Sequence, residues 1–425
     1  MKNVTQDELV DLLTNKILRN VRPKHNKKLY KFITKIAGYA GTGKTTLLCK
    51  LRKKIKNQIP TSISVAFISY TGKASNVLKS KLLEQNSLFD EDYVGTIHGL
   101  IYRPETVFDK KLNAHIIVGW KKVDSDEITC DILFIDEGSM VSKNIWNDLN
   151  SLEIPIIVTG DNAQLPPVSE DTFSLMKNPD YLLTENFRSS SPIIKLSTFV
   201  RKYGYIPTNH ESRSILKLSW SHKNTRERAR EIWNSLPAGK NIITLCGFNS
   251  SRVKLNDMAR KKFEYNTEIP IPGERIICLM NNHNIKLMNG QIGTIVWATP
   301  VDSISSKITL EVDGEENYYE CLMYLKAGFG EVTYTVYDKE KERRDKLYRD
   351  KKIKIAKKIY SEKYEMCYFD FGYATSVHKA QGSEWNFIVL FEQRGSVWDN
   401  EYYRRWLYTA VTRAKEKIVI FTDFY

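Results

Sequence analysis

The residues most able to do chemistry are Gly38-Tyr39-Ala40-Gly41-Thr42-Gly43-Lys44-Thr45, which match G-x-x-x-x-G-K-[ST] at every fixed position. Glycines at 38, 41 and 43 let backbone N–H groups wrap phosphate oxygens without side-chain clash. A helix that follows the loop turns its positive end toward the same oxygens. Lys44 is expected to reach the outer two phosphates and Thr45 to bind Mg2+, with Thr42 and Thr46 completing the cradle. A chain of this length meets the pattern by chance only about once or twice in a hundred, so phosphate binding is the leading expectation. Such a loop needs a second carboxylate for the metal. Ile132-Leu133-Phe134-Ile135-Asp136-Glu137 offers one after an apolar run. Asp136 would hold Mg2+ through water and Glu137 would polarise the attacking water as general base. The alternative is an N-cap pair opening a helix at Gly138-Ser139. The buried strand before the pair and the glycine loop upstream favour the catalytic reading.

These side chains need elements to hold them. Residues 32–37 read as a strand feeding the loop and 45–56 as a basic helix. Strands at 63–69, 132–135 and 154–158 and a helix at 73–83 follow. Apolar strands separated by helical crossovers imply a parallel sheet covered on both faces. Between 100 and 131, the strand-like stretches 105–110 and 116–122 with a turn at 112–115 imply an inserted hairpin. After about 190 the alternation resumes, with a strand at 242–246 and a helix at 250–265. From 276 the texture changes to short strands at 276–279, 293–298 and 307–312, punctuated by Asn289-Gly290 and Asp313-Gly314. A small β-barrel inserted in a second α/β domain explains this. Residues 338–358 carry the acid-before-base pairs Glu340/Arg344, Glu342/Lys346, Asp345/Arg349 and Asp350/Lys354. A solvated helix accounts for them, with a nucleic-acid contact as the alternative.

Composition narrows the class. The 425 residues are 42% hydrophobic and 27% charged, as in a globular protein with more than one domain. No apolar run is long enough to span a bilayer, and the first residues lack a signal-peptide core. Six scattered cysteines without a C-x-x-C pair suggest reduced, intracellular thiols. The net charge of +14 favours polyanionic partners, nucleic acid first.

The ordered set of further motifs resembles superfamily 1 DNA helicases of the RecD/Dda-like, 5′-to-3′ branch, most of all the small phage-type Dda relatives. Ser69-Tyr70-Thr71-Gly72-Lys73-Ala74 resembles motif Ia, and Gly95-Thr96-Ile97-His98 motif Ib. Asp136-Glu137-Gly138-Ser139-Met140 resembles motif II, and Gly160-Asp161-Asn162-Ala163-Gln164-Leu165-Pro166-Pro167-Val168 motif III. Leu183-Thr184-Glu185-Asn186-Phe187-Arg188-Ser189 resembles motif IV. Motif V is matched by Tyr373-Ala374-Thr375-Ser376-Val377-His378-Lys379-Ala380-Gln381-Gly382-Ser383-Glu384. Motif VI is matched by Leu407-Tyr408-Thr409-Ala410-Val411-Thr412-Arg413-Ala414.

The resemblance implies an α/β fold of two RecA-like P-loop NTPase-type domains. The first, at 1–190, would carry a hairpin at about 100–131. The second, at 191–425, would carry an SH3-like β-barrel at about 276–365. Gln164 would sense the γ-phosphate, and Arg188 and Arg413 would reach it as charge builds. Gly382 would lie with the nucleotide. Thr71, Lys73, His98, Thr375, His378 and Lys379 would grip a DNA strand. Phe108, His115 or Trp120 on the hairpin would be the pin that splits a duplex, their packing on the parent domain being the alternative. Implied cofactors are ATP and Mg2+. Implied partners are single-stranded and forked or tailed DNA and replication or recombination proteins, for a monomeric intracellular enzyme. A translocase that displaces bound proteins without unwinding is the competing function. Two positions depart from the pattern. Tyr39 stands where these helicases often carry proline, and Gln6, the only glutamine before the loop, lacks the usual spacing of the adenine-reading residue.

Overall fold

The computed structural model describes residues 2–21, 29–59, 62–109, 114–167, 173–185, 191–207, 211–282, 284–303, 305–325, 329–330 and 366–424, and side chains throughout these except at 2 and 104–119. Contacts divide the chain into two units. The first comprises Met1–Thr106, Ile117–Gly204 and Arg404–Thr412; the second comprises Val107–Ile116, Tyr205–Tyr403 and Arg413–Tyr425.

Apolar runs without alternation build the first unit. Its elements are β1 (Lys2–Val4), α1 (Gln6–Arg19), β2 (Ile33–Gly38), α2 (Lys44–Gln58), β3 (Val65–Ser69), α3 (Gly72–Glu84), β4 (Tyr93–Thr96) and α4 (Ile97–Ile101). After β5 (Tyr102–Asp109) and β6 (Ala114–Lys122) come β7 (Ile132–Asp136), α5 (Lys143–Asn150), β8 (Ile156–Gly160), β9 (Tyr181–Leu183) and α6 (Pro192–Tyr203). The sheet order is β1-β9-β2-β8-β7-β3-β4, and every pairing is parallel. All five residues of β3, β7 and β8 are buried, as a sheet covered on both faces requires. Alternate residues serve opposite faces: Val65 and Phe67 join a core with α1, α2 and α3, while Ala66 and Ile68 join one with α4 and α5. Buried Arg52 on α2 pairs with Asp92 at 2.8 Å and Glu91 at 3.0 Å, so its charge is compensated inside the fold.

The second unit holds β10 (Ile215–Ser219), α7 (Arg226–Ser235), β11 (Ile242–Cys246), α8 (Asn249–Lys262), β12 (Arg275–Cys278), β13 (Ile292–Pro300), β14 (Ser305–Val312) and β15 (Tyr318–Tyr324). It continues through β16 (Met366–Cys367), β17 (Phe369–Phe371), β18 (Ala374–Ser376), β19 (Trp385–Phe391), α9 (Asn400–Val411) and β20 (Ala414–Thr422). One sheet, β10-β20-β19-β11-β18, is wholly parallel. The other, β16-β15-β14-β13-β12-β17, is antiparallel except between β15 and β16, and encloses its own core of Ile276, Ile295, Ile308, Leu310 and Phe369. Two parallel α/β sheets fit two RecA-like domains.

The structure moves several expected boundaries. α6 groups with the first unit, past the division expected at 190, and so do residues 404–412 of α9 and the turn after it. The physical reason for the latter is local: Tyr408 and Thr409 hydrogen-bond to loops of the first sheet. Residues 107–116 group with the second unit instead of the first. Ala114 and His115, expected in a turn, begin β6. The charged pairs between 340 and 354 lie outside the described residues, as do 331–365 of the expected barrel region. No helix among the described residues is long and apolar enough to cross a membrane.

Candidate active site

The loop between β2 and α2 turns through Gly41 at φ +83° and Gly43 at φ +73°, backbone conformations that a side chain would strain. That turn aims the N-terminus of α2 across the ends of β2, β8 and β7. Lys44 stands at its first position. Its ammonium donates to the Gly38 carbonyl at 2.8 Å and the Tyr39 carbonyl at 3.3 Å, so it lies over the loop. The Thr45 hydroxyl donates to Asp136 Oδ2 at 2.9 Å. Asp136 ends β7 and is buried; its Oδ1 accepts from Thr159 Oγ1 at 2.7 Å and from the Glu137 N–H at 3.0 Å. These donors make burial of the carboxyl group tolerable. A hydroxyl and a carboxylate side by side, with an ammonium at the same loop, suit a magnesium-bound polyphosphate.

Glu137 adopts φ +56°, ψ +42°, a left-handed conformation uncommon outside glycine and asparagine, and its side chain makes no capping hydrogen bond to the turn at Gly138–Met140. The cap alternative therefore has no support at this residue. Strain of this kind, on the order of 1–2 kcal/mol, collects where a side chain must be aimed. Gln164 is buried after β8, its amide nitrogen 3.4 Å from Asp161 Oδ2. Lys44, Thr45, Asp136, Glu137 and Gln164 thus lie at the same ends of three neighbouring strands of one sheet. Arg188 lies outside the described residues. Arg413 belongs to the second unit, where it is buried and donates to the Ser383 carbonyl at 3.0 Å, beside Gly382.

The expected strand-contacting residues fall into two sets, one in each unit. In the first, the Thr71 hydroxyl accepts from the Ala74 N–H at 3.2 Å and caps α3, whose first turn carries Lys73. Thr96, not His98, caps α4. His98 keeps an exposed edge between the rings of Tyr70 and Tyr102, at centroid distances of 6.2 and 5.3 Å, and this partial burial lowers its pKa. In the second unit, Thr375 is buried in β18, with its hydroxyl unpartnered among the described residues. His378 Nε2 lies 2.6 Å from the Tyr402 hydroxyl, and burial lowers its pKa too. Burial likewise lowers that of Lys379, helped by Arg252 and opposed by Asp370. Trp120 on β6 is 53% exposed, which leaves its ring available for contact. The side chains of Phe108 and His115 lie outside the described residues.

Three residues at the site escape sequence reasoning. The Gln6 amide donates to the Gly43 carbonyl at 2.9 Å, across 37 positions of chain. A local signal existed, since Thr5-x-x-Glu8 is a capping box that starts α1 at Gln6. The Arg201 guanidinium lies 3.6 Å from the Tyr39 ring centroid, so the residue that replaces proline gains a cation–π partner. Tyr408 bonds both the loop and Asp161, a contact with no local signal.

Residues 24–170, which include β2, β3, β4, β7, β8 and the glycine loop, match an AAA domain, and residues 371–421 match a UvrD-like helicase C-terminal domain. The chain is 24% identical over 483 residues to the RecBCD enzyme subunit RecD of Buchnera aphidicola subsp. Schizaphis graminum, covering 91% of this chain and 70% of that one. It is also 24% identical over 452 residues to an uncharacterized protein of Methanocaldococcus jannaschii, covering 91% of this chain but 36% of the other. A Bacteroides Pif1 helicase in complex with ADP-AlF3 and single-stranded DNA superposes with a TM-score of 0.52 at 17% identity, over 99% of this chain and 93% of that one. A structure describing two coordinating Pif1 helicases at forked duplex DNA gives a TM-score of 0.52 at 15% identity, over 98% and 90%. At these identities the likeness is one of fold.

Proposed function

We propose that this chain, a superfamily 1 helicase of the RecD- and Pif1-like group, couples ATP hydrolysis to 5′-to-3′ movement on single-stranded DNA and unwinds duplex ahead of it. The observation that carries the reading is the assembly of Lys44, Thr45, Asp136 and Gln164 at the ends of β2, β7 and β8, beside the strained Glu137. Loop amides and Lys44 would hold the phosphates, and Thr45 and Asp136 would hold Mg2+, which would supply charge neutralisation at the phosphoryl oxygens. Glu137 would orient and deprotonate the attacking water, Gln164 would respond to the terminal phosphate, and Arg188 and Arg413 are assigned the supply of forked positive charge. Gln6, held against Gly43, is assigned the reading of adenine. Strand contacts are assigned to Thr71, Lys73 and His98 in one unit and, separately, to Thr375, His378 and Lys379 in the other, and the pin to the paired strands β5 and β6.

Strand displacement on duplexes with a 5′ or a 3′ tail tests this. ATP-dependent unwinding of the 5′-tailed substrate alone is expected. Robust DNA-stimulated ATPase with no unwinding of either substrate would instead favour a protein-displacing translocase, which shares every motor residue. Unwinding from the 3′ tail would reverse the polarity.

A further inference from the structure

Tyr408 is almost fully buried within the first unit. Its hydroxyl donates to Asp161 Oδ2 at 2.7 Å and accepts from the Ala40 backbone N–H, in the phosphate loop, at 3.0 Å. A phenol has one proton, so the polarity of this chain is set: the amide hydrogen points at the tyrosine oxygen, and the tyrosine hydrogen points at the carboxylate. Burial, reinforced by Asp161, pushes the phenol's pKa well above its usual value, which keeps the proton in place.

Asp161 is fully buried and takes further hydrogen bonds from the Ala163 N–H at 3.0 Å and from Gln164 Nε2 at 3.4 Å. With its nitrogen turned to the carboxylate, Gln164 directs Oε1 the other way, and that buried oxygen has no partner among the described residues. One position along, the Leu165 N–H donates to Thr409 Oγ1 at 2.9 Å. Two neighbouring residues of α9 therefore hold both the loop and the segment bearing Gln164.

We propose that Tyr408 is a positioning residue which couples the conformation of the phosphate loop to the orientation of Gln164, through Ala40 on one side and Asp161 on the other. The inference rests on the ATPase reading. A phenylalanine would fill the same volume, so packing alone does not call for the hydroxyl. Removing the oxygen takes the Tyr408 acceptor from the Ala40 N–H and leaves Asp161 with its backbone donor at Ala163 and the long bond from Gln164. The Gln164 amide is then free to turn, while the glycines, Lys44 and Thr45 that hold nucleotide stay in place.

Steady-state ATPase with single-stranded DNA, together with binding of a fluorescent ADP analogue, tests this on wild type, Tyr408→Phe, Gln164→Ala and the double variant. Tyr408→Phe should lower kcat about tenfold and leave the ADP analogue's Kd within about twofold. The double variant should be no slower than Gln164→Ala alone, since the tyrosine acts through the glutamine. An unchanged kcat, parallel losses of kcat and binding, or losses that multiply in the double variant would each overturn the proposal. Should Tyr408→Phe fold poorly, Asp161→Asn must give the same split. A wild type without ATPase activity would refute the proposed function itself, a separate outcome from an active wild type indifferent to the hydroxyl.

Discussion

Each unit passes from a buried parallel strand to a helix at a comparable place, and the two passages have opposite chemistry. In the first unit β2 lies between β9 and β8 and leads through the glycine loop into α2. In the second, β11 lies between β19 and β18 and leads through Gly247 and Phe248 into α8. The first loop ends on Lys44 and Thr45, beside a carboxylate. The second carries Phe248 at the helix cap, stacked on Trp398 with centroids 5.3 Å apart and planes 27° apart. The Gly247 N–H is taken by the Gln393 side chain at 3.0 Å and is not offered to an anion. A strand end and a helix start are therefore not a phosphate site in themselves; loop length, glycines and a cation make one. The second unit keeps the architecture and gives its strand ends to rings and to His378.

The sharpest way to break that contrast is to remove the cation. Lys44→Ala should lower ATP turnover by about a thousandfold or more and abolish unwinding, since a charge is lost where negative charge builds. Far-UV circular dichroism should show an intact fold, because Lys44 packs no core. Retained turnover would mean that the first loop is no more a nucleotide site than the second.

Glu137→Gln keeps the size while replacing one acceptor oxygen with a donor NH2, so the carboxylate proposed as the base is gone. Turnover should fall by about a hundredfold or more, with affinity for a fluorescent ADP analogue unchanged. Equal loss of binding would move Glu137 from the chemical step to nucleotide capture.

On the other side of the comparison, His378→Ala should weaken single-stranded DNA binding by about tenfold, the effect of losing a stacking ring. Nucleotide affinity without DNA should stay the same. Fluorescence anisotropy of a labelled oligonucleotide measures the first quantity. A DNA affinity equal to wild type would leave the His378–Tyr402 pair as internal packing.

How much of this was legible depended on the range of the contacts involved. The glycine loop, Lys44 and Thr45 could be read because phosphate chemistry demands them at fixed spacing. β3, β7 and β8 could be read because a doubly covered sheet demands unbroken apolar runs. β1 and β9 have three residues each, too few to carry a period, and they exist through pairing with each other and with β2. Gln6 meets Gly43 only because α1 packs on α2 through Leu9, Leu13, Leu48 and Leu51. Tyr408 meets Ala40 across 368 positions, and no local pattern announces that bond. Grouping residues 404–412 with the second sheet follows chain order, and chain order is what the tertiary contacts of Tyr408 override.

The smallest expected effect is on stability, and it asks whether the first unit stores strain where the second does not. Glu137 holds φ +56° directly after β7; among the described residues of the second unit, positive φ outside glycine falls at Glu264, Lys286 and Asp423, none of them among the residues assigned to the motor. Glycine adopts this conformation without a Cβ penalty, so Glu137→Gly should relieve roughly 1 kcal/mol of strain. It also frees the unfolded chain, which returns part of that gain. The net expectation is a Tm equal to or slightly above wild type in a protein that no longer hydrolyses ATP. Glu137→Ala removes the carboxylate and keeps the strain, so it should be the less stable of the two. A glycine variant clearly less stable than the alanine variant would show that the left-handed turn costs little, and that the two units differ in chemistry but not in stored strain.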